Sequence, residues 1–265
     1  MALEIIKVKD LLIGEGMPKI CVPLNGMTEE GIMSQLSSAL KEPCDLLEWR
    51  ADYYLAYQDT MTWQPMLSKI RSKTKKPLIF TLRSESEGGQ SALRRSDALA
   101  LLRDVCEQGD VDFVDIELFE EDGSLDEAKI EFLVETAHSN NKKVILSNHD
   151  FDKTPDLDAI IKRLHAMERL GADLPKVAYM PLAEEDVAVL LEAARIVSAE
   201  FMHKPFVAIS MGEIGKQSRI SGGAYGSAIT FAAAPSNDGQ SVTAPGQIKA
   251  AELHKRICET YGCSV

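Results

Sequence analysis

Long apolar runs are absent from the 265-residue sequence, and no segment approaches the length that a membrane span requires. The N-terminus has no basic segment followed by an apolar core, so we expect no signal peptide and predict a cytoplasmic protein. Cysteine is scarce, and the five cysteines are scattered without a C-x-x-C pair. We therefore expect reduced thiols, and neither a disulfide framework nor a cysteine metal site.

Positive charge is also in short supply, because 29 lysines and arginines face 41 acidic residues and leave a net charge of -12. Such an acidic chain is a poor partner for nucleic acid or an anionic membrane, and we predict neither. An anionic substrate would need a local cluster of basic side chains. The length and the 45% hydrophobic content suffice for one α/β barrel or for two small domains.

Short β-rich segments alternate with longer amphipathic stretches along the chain. The predicted strands are Lys19 to Leu24, Asp45 to Arg50, Pro77 to Arg83, Phe113 to Phe119, Lys143 to Asn148, Pro175 to Met180, Pro205 to Met211, and Tyr225 to Ala233. The amphipathic stretches include Glu29 to Lys41, Ser91 to Gln108, Asp126 to Asn140, Asp156 to Leu170, Glu184 to Phe201, and Gln247 to Tyr261. This alternation predicts a parallel sheet, and at this length a closed (β/α)₈ TIM barrel.

The stretch from Leu3 to Ile13 precedes the first barrel strand and predicts an extra N-terminal hairpin. No low-complexity linker divides the chain, which favours a single catalytic domain over residues 1–265. A doubly wound open sheet is the structural alternative, but no predicted strand is followed by a glycine-rich phosphate loop. Gly222, Gly223 and Gly226 precede a strand, which is typical of turn glycines.

A lysine interrupts an otherwise apolar strand, because Lys176 lies in the run Leu174-Pro175-Lys176-Val177-Ala178-Tyr179-Met180. Removing an ammonium group from water is costly, so burial favours a neutral amine, which can attack a ketone and form a Schiff base. Another apolar strand ends in His149, a residue type suited to proton transfer near neutral pH. The two residues together indicate imine chemistry with a proton shuttle beside it.

Strand alternation places further polar side chains on common faces. These are Glu48 with Arg50, Thr81 with Arg83, Asp115 with Glu117, Ser147 with His149, and Lys176 with Ala178 and Met180. If these faces point at a barrel axis, the side chains converge near its C-terminal mouth, with Lys176 deeper than the rest. The least regular segments, Ser84 to Gln90 and Pro235 to Pro245, also follow strands, on the side where barrel enzymes place their chemistry.

Structural roles are the alternative for each of these residues. Lys176 could begin its strand and extend to solvent at the barrel bottom, and His149 could cap the following turn through Asp150. The pairs Glu48–Arg50 and Arg83–Glu87 could be structural ion pairs, and Glu117 could be a partner for one of the arginines. Met211 and Phe231 could be core residues.

Nine segments carry a resemblance to the type I 3-dehydroquinate dehydratases, the Schiff-base-forming hydro-lyases of the shikimate pathway. They appear in family order and cover almost the whole chain: Leu46 to Arg50, Phe80 to Arg83 with Glu87-Gly88-Gly89, Asp115 to Leu118, Ser147-Asn148-His149-Asp150-Phe151, Pro175 to Ala178, Ser210-Met211-Gly212, Ser218-Arg219, Tyr225 to Ala228, and Ala244-Pro245-Gly246-Gln247. The family fold is the (β/α)₈ barrel, which agrees with the strand count. The resemblance also implies a homodimer.

The resemblance implies a role for each matching residue. Lys176 matches the imine lysine, His149 the proton-transfer histidine, and Glu87 the glutamate that assists and orients that histidine. The implied substrate contacts are Glu48, Arg50 and Arg83 at the hydroxyls and ring, Arg219 at the carboxylate, Thr243 and Gln247 in a lid spanning Pro235 to Gln247, and Met211 and Phe231 as apolar walls. No metal or organic cofactor is expected.

The implied reaction is the syn dehydration of 3-dehydroquinate to 3-dehydroshikimate, a step towards chorismate and the aromatic amino acids. Pro23, Ile209 and Thr243 depart from residues found in some members, and Thr243 keeps the hydroxyl of the serine that it replaces. A class I aldolase acting on a phosphorylated sugar is one alternative, but the last two loops show no convincing glycine-rich anion site beside Arg219. A catalytically silent barrel that serves as an interaction protein is another, although both Lys176 and His149 are present.

Overall fold

Eight parallel strands form the central sheet of this computed structural model, which describes residues 4–58, 60–233 and 242–263. The eight strands are β3 (Lys19–Leu24), β4 (Leu46–Arg50), β5 (Leu78–Thr81), β6 (Phe113–Glu117), β7 (Lys143–Asp150), β8 (Leu174–Tyr179), β9 (Val207–Ser210) and β10 (Ile229–Phe231). Each strand from β3 to β8 pairs with the next in chain order, and β10 pairs with β3. The predicted (β/α)₈ barrel is confirmed.

The barrel closes between β9 and β10 just before either strand begins. The N–H of Ala228 donates to the carbonyl of Phe206 at 2.8 Å, and Phe206 forms a parallel bridge with Ser227. Gly226 directly before this closure has φ 98°, so it is a turn glycine as predicted.

Eight α-helices follow the barrel strands in the described part of the chain. They are α1 (Glu29–Ala39), α2 (Thr60–Lys73), α3 (Arg95–Gln108), α4 (Glu127–Ser139), α5 (Leu157–Arg169), α6 (Glu184–Ile196), α7 (Lys216–Ser221) and α8 (Ala250–Tyr261). Asp126 and Asp156 are the N-caps of α4 and α5, because each side chain accepts a backbone N–H from the first turn. The α6 stretch continues as a π-helical turn, Val197–Phe201.

Two boundaries differ from the sequence prediction for a local physical reason. The predicted helix over Ser91 to Gln108 begins only at Arg95, because Ser91 instead forms a parallel bridge with Ser84. The predicted strand over Tyr225 to Ala233 is shorter, because residues 222–225 form a 3₁₀ turn before it. Most of the predicted irregular segment, residues 235–241, lies outside the described residues.

The predicted N-terminal hairpin is confirmed as two antiparallel strands, β1 (Ile6–Val8) and β2 (Leu11–Ile13). Ile6, Val8 and Ile13 are buried and belong to the same apolar cluster as the barrel interior. That cluster includes one side chain from the lower part of every barrel strand: Cys21, Leu46, Ile79, Phe113, Ile145, Leu174, Val207 and Ile229. The hairpin therefore closes the N-terminal end of the barrel, and only the opposite end stays open to a ligand.

A larger apolar cluster lies between the outer face of the sheet and the helices, with Trp49, Trp63 and Phe80 among its largest members. The two clusters are separated by the strands themselves, as alternation requires. Within the described residues, no helix combines the length and the apolar character that crossing a membrane demands.

Replacing Ile13 with Ala should lower the free energy of unfolding by about 2–5 kcal/mol, because a fully buried methyl-rich side chain leaves a cavity beneath the barrel. The matched control is Leu12→Ala on the same strand, where the side chain is 38% exposed. This variant should lose about 0.5 kcal/mol of the free energy of unfolding. Urea unfolding of both variants measures the difference. Equal losses would show that the hairpin does not plug the barrel.

Candidate functional site

A cavity of about 470 Å³ lies at the C-terminal ends of the barrel strands. Its wall contains all eleven residues that the sequence analysis assigned to the site: Glu48, Arg50, Arg83, Glu87, His149, Lys176, Met211, Arg219, Phe231, Thr243 and Gln247. Gly88, Phe151, Ala178, Ile209 and Ala244 line it as well, although the sequence analysis assigned none of them to the site. The barrel thus brings together residues that are up to 199 positions apart in the sequence.

Lys176 lies in the middle of β8, is 4% exposed, and points into the barrel. The alternative of a solvent-reaching lysine at the barrel bottom is therefore wrong. Its Nζ donates to Asp115 Oδ2 at 3.1 Å and lies 3.8 Å from Glu48 Oε1. Nζ also lies 4.5 Å from the centre of the Phe231 ring, a cation–π contact. The two carboxylates beside Nζ offset the cost of burying the ammonium.

Asp115 is a negative charge that persists deep in the barrel. Burial alone would raise its pKa, but the Arg83 guanidinium and the Lys176 ammonium outweigh burial and lower the pKa to about 2. Its Oδ1 accepts hydrogen bonds from Arg83 at 2.9 Å and from the Ser147 hydroxyl at 2.6 Å. The carboxylate is therefore ionised at any ordinary pH and faces the Lys176 nitrogen.

Arg83 joins the carboxylates of three different segments. Its Nη2 donates to Asp115, and its Nη1 lies within hydrogen-bond distance of Glu87 at 3.3 Å and of Glu117 at 3.1 Å. The structural pair Arg83–Glu87 and the role of Glu117 as an arginine partner are both present. Since these contacts occupy both Nη atoms, Arg83 acts first as an internal support, and its substrate contact stays a prediction.

His149 and Glu87 form a close pair on the cavity wall. His149 Nδ1 lies 2.8 Å from Glu87 Oε2, and the backbone N–H of His149 donates to the same oxygen at 3.2 Å. The turn after β7 is capped by Asp150, whose Oδ1 accepts the N–H groups of Asp152 and Lys153. The His149 side chain takes no part in that cap. His149 Nε2 is therefore the ring nitrogen left to face a ligand.

The buried environment shifts both members of this pair towards their neutral forms. Burial, with Glu117 nearby, raises the pKa of Glu87, although Arg83 and Asn148 oppose the rise. Burial, with the cations Arg83 and Lys176 nearby, lowers the pKa of His149 well below its usual range. A proton added to the pair therefore resides between Glu87 and His149 rather than creating a free imidazolium.

Arg50 and Glu48 do not pair with each other as the structural alternative supposed. Arg50 makes a bidentate ion pair with the buried carboxylate of Asp52, at 2.9 and 2.8 Å. Glu48 Oε1 instead accepts the Thr81 hydroxyl at 2.9 Å. Asp52 also accepts the Gln90 N–H, so it ties the loop after β5 to Arg50.

Arg219 is a buried cation whose described contacts include no carboxylate. It is 2% exposed, and its Nη atoms donate only to the backbone carbonyls of Phe231, at 3.2 Å, and Pro245, at 3.0 Å. Its buried Nε has no hydrogen-bond partner among the described residues. Burial lowers the pKa of Arg219 to about 10, which still leaves it charged near neutral pH. Glu213, the acid six residues earlier in the sequence, pairs with Lys216.

Thr243 and Gln247 form a small turn over the cavity beside Arg219. Gln247 Oε1 accepts the Thr243 N–H at 2.8 Å, and Gln247 Nε2 donates to the Thr243 hydroxyl at 3.1 Å. Gly246 permits the turn to approach β9, because it has φ 75° and a Cβ there would lie 2.1 Å from the Gly212 carbonyl oxygen. The remainder of the predicted lid, residues 235–241, lies outside the described residues.

The apolar part of the wall comes from Met211, Phe231, Ile209 and Phe151. Gly88 permits Phe151 to reach it, because Gly88 has φ 80° and an added Cβ would lie 2.2 Å from the Phe151 ring. Across the described residues, no three His, Cys, Asp or Glu side chains group closely enough to hold a metal ion.

Comparisons with known proteins agree with this geometry. The model of the family described as Type I 3-dehydroquinase matches residues 20–258. A 3-dehydroquinate dehydratase of Clostridioides difficile strain 630 is 42% identical over 251 residues, which cover 94% of both sequences. A crystal structure of the Clostridium difficile type I 3-dehydroquinate dehydratase with covalently modified comenic acid has a TM-score of 0.90 and 37% identity over 99% of both chains. The Geobacillus kaustophilus 3-dehydroquinate dehydratase has a TM-score of 0.89 and 32% identity over 97% of both chains.

The replacement Asp115→Asn should lower the free energy of unfolding by about 3–5 kcal/mol at pH 7, because Arg83 and Lys176 stay buried with one carboxylate fewer. The pKa of Asp115 is depressed in the fold, so its stabilisation is complete above the unfolded pKa of about 4. It is lost as the pH falls towards about 2. Urea unfolding at several pH values measures both effects.

The matched control is Asp110→Asn, because that side chain is 70% exposed and faces only Arg71. It should change the stability by less than about 1 kcal/mol. An Asp115→Asn variant as stable as the parent would contradict a network held together by this carboxylate.

Proposed function

The chain belongs to the type I 3-dehydroquinase family, and we propose that it dehydrates 3-dehydroquinate to 3-dehydroshikimate through a Schiff base at Lys176. The observation that carries this proposal is the shared cavity, which holds a buried amine, a histidine–glutamate pair and a buried arginine that has no acidic partner among the described residues. Each supplies one requirement of a hydro-lyase acting on a β-hydroxy ketone that carries a carboxylate.

Lys176 adds to the substrate ketone and expels water, which forms an iminium ion. The iminium withdraws electrons from the neighbouring carbon and acidifies its hydrogen. Asp115 at 3.1 Å and Glu48 at 3.8 Å keep negative charge beside the nitrogen, so the same contacts that hold the ammonium stabilise the iminium. Hydrolysis of the imine at the end of the cycle restores the amine.

His149 removes the acidified proton through Nε2 and later returns it to the departing hydroxyl. One residue can serve both steps because the family reaction is a syn elimination. While Glu87 is ionised, Nδ1–H of a neutral imidazole donates to it and Nε2 is a base. Once the pair gains the proton, Nε2 carries hydrogen and is an acid.

Arg219 is proposed to bind the substrate carboxylate. Its described contacts are backbone carbonyls, so this buried guanidinium gains from an anionic ligand, and its planar donors match a carboxylate. It also supplies the local positive charge that an anion needs on a chain of net charge -12. Thr243 and Gln247 lie beside it and are proposed to close over the same end of the substrate.

The remaining cavity residues complete the proposed site. Glu48, Arg50 and Arg83 are assigned to the substrate hydroxyls and ring, and Met211 and Phe231 to its apolar faces. We propose that residues 1–265 form one catalytic domain, since the cavity draws on strands from the whole circumference of the barrel. The chemistry itself requires neither a metal nor an organic cofactor. The homodimer and the cytoplasmic location stay predictions.

Lys176→Ala should abolish turnover, and no covalent adduct should form when borohydride is added with 3-dehydroquinate. His149→Ala should still form the imine slowly, but it should not turn the imine over, because proton abstraction stalls. Its adduct on Lys176 should therefore accumulate and be found by mass spectrometry of the peptide.

The neutral control is Lys142→Ala, at the opposite end of the barrel, which should keep the parent rate and the parent adduct. Near-normal activity of Lys176→Ala would exclude the Schiff base. Product formation by His149→Ala close to the parent rate would assign the base to another residue, with Glu87 as the first candidate. An adduct only with sugar phosphates would favour an aldolase, and no adduct with either substrate would favour a silent barrel.

Arg219→Ala should raise KM by on the order of ten- to several-hundred-fold, the scale of a lost charged hydrogen-bond pair. Gln247→Ala should raise it more weakly. The matched control is Lys216→Ala on the same helix, which is paired with exposed Glu213 and should leave KM unchanged. Steady-state kinetics measure all three, and an unchanged KM in Arg219→Ala would remove this arginine from the binding site.

A further inference from the structure

Asn148 lies on β7 directly before His149 and contacts Glu87 from behind the cavity wall. Its Nδ2 donates to Glu87 Oε1 at 3.1 Å. This is the carboxylate oxygen that does not contact the imidazole, because His149 Nδ1 lies against Oε2. Asn148 is 6% exposed, so this hydrogen bond is shielded from solvent.

Two donors on the outer side of the barrel fix the orientation of the Asn148 amide. Its Oδ1 accepts the Tyr179 hydroxyl at 3.0 Å and Arg163 Nη1 at 2.9 Å. Rotating the amide by half a turn would place its N–H₂ against these donors and its oxygen against the carboxylate of Glu87. Tyr179 and Arg163 therefore compel Asn148 to present a donor to Glu87.

That donor decides where Glu87 carries a proton. The described partner of Oε1 is the Asn148 N–H, which is a donor, so a hydrogen on Oε1 would have no acceptor among the described residues. Oε2 also receives the His149 backbone N–H at 3.2 Å and lies 3.3 Å from Arg83 Nη1, but it is the oxygen that faces an acceptor. A hydrogen on Oε2 points along the 2.8 Å line to His149 Nδ1. The added proton of the pair is thus confined to the Oε2–Nδ1 line, where it can move to the imidazole as Nε2 gives up its own hydrogen.

We propose that Asn148 is a positioning residue, which holds Glu87 so that its only exchangeable proton is shared with His149. The catalytic part of this inference rests on the proposed dehydratase function, whereas the proton position itself does not. Asn148 touches neither the cavity nor a substrate, since it acts from the outer face of the sheet through Glu87.

Other charges around the pair bear on its titration. The groups that face Glu87 and His149 from the elements packed against them are Arg50 on β4, Arg83 two residues after β5, Asp115 and Glu117 on β6, Lys176 and Tyr179 on β8, and Arg163 on α5. Asn148→Asp keeps an acceptor for Arg163 and Tyr179, whereas Asn148→Leu removes it, so a change that both variants share reports the lost donor to Glu87.

The test uses Asn148→Asp and Asn148→Leu in the full chain. Both remove the donor, and Asn148→Asp adds a carboxylate against Glu87, so the pair should take up its proton at higher pH, by about one pH unit or more in Asn148→Asp. ¹⁵N NMR of the imidazole, with the His149 signal identified by its loss in His149→Gln, measures the midpoint and the tautomer. The matched control is Asn141→Asp, an exposed position before the start of the same strand, which should keep the parent midpoint.

Kinetics give a second readout. We expect kcat to fall about ten- to a hundredfold in Asn148→Leu with KM changed less than about threefold, and the acid limb of kcat/KM to move to higher pH. In a Glu87→Gln background, Asn148→Leu should lower kcat by less than about twofold further, because the residue through which it acts is already neutral.

Two results would overturn the proposal: an unchanged His149 midpoint and tautomer in Asn148→Leu, or full additivity of Asn148→Leu with Glu87→Gln. If Asn148→Asp does not fold, Asn148→Leu decides alone, since it adds no buried charge. A parent protein without dehydratase activity would refute the proposed function, yet the NMR titration would still decide where the proton lies.

Discussion

The ionised carboxylate of Asp115, buried between Arg83 and Lys176, is the interaction on which the site depends. Without it the buried Arg83 and Lys176 would lose the carboxylate that they share, at a cost of several kcal/mol. With it, Arg83 can hold Glu87 and Glu117, and Lys176 can stay inside the barrel. The carboxylate also remains negative when the lysine becomes an iminium, so one charge serves both folding and chemistry.

The architecture separates stability from function along the barrel axis. The lower interior layer is apolar and sealed by the hairpin through Ile6, Val8 and Ile13. The upper layers carry charges that are paired across neighbouring strands. Arg219 departs from that pattern, because its described contacts are backbone carbonyls only. A buried cation without an acidic partner costs stability in the empty protein, and an anionic substrate would offset that cost.

Short-range periodicity located the barrel and the site residues at its strand ends, Glu48, Arg50, Arg83, His149 and Lys176. Alternation put Lys176, His149 and Glu48 on inward faces without any structure. It could not find helix α2, where Pro65 interrupts the periodic pattern, or the six-residue α7. Alternation also could not predict the hydrogen-bond partners of Arg50 and Arg219, because these depend on loop paths and strand register rather than on residue spacing. Arg219, Thr243 and Gln247 came from the family resemblance alone, as did the site roles of Glu87, Met211 and Phe231.

The most direct measurement is the ¹⁵N chemical shift of the Lys176 Nζ atom, followed as 3-dehydroquinate is added to protein labelled at lysine side chains. A Schiff base changes this nitrogen from an amine to an sp² iminium, so a new signal should appear far downfield and should be absent in Lys176→Ala. It should vanish as product accumulates and the imine is hydrolysed. If the protein turns over 3-dehydroquinate at steady state while the Lys176 signal stays that of an amine, covalent catalysis at this residue is contradicted.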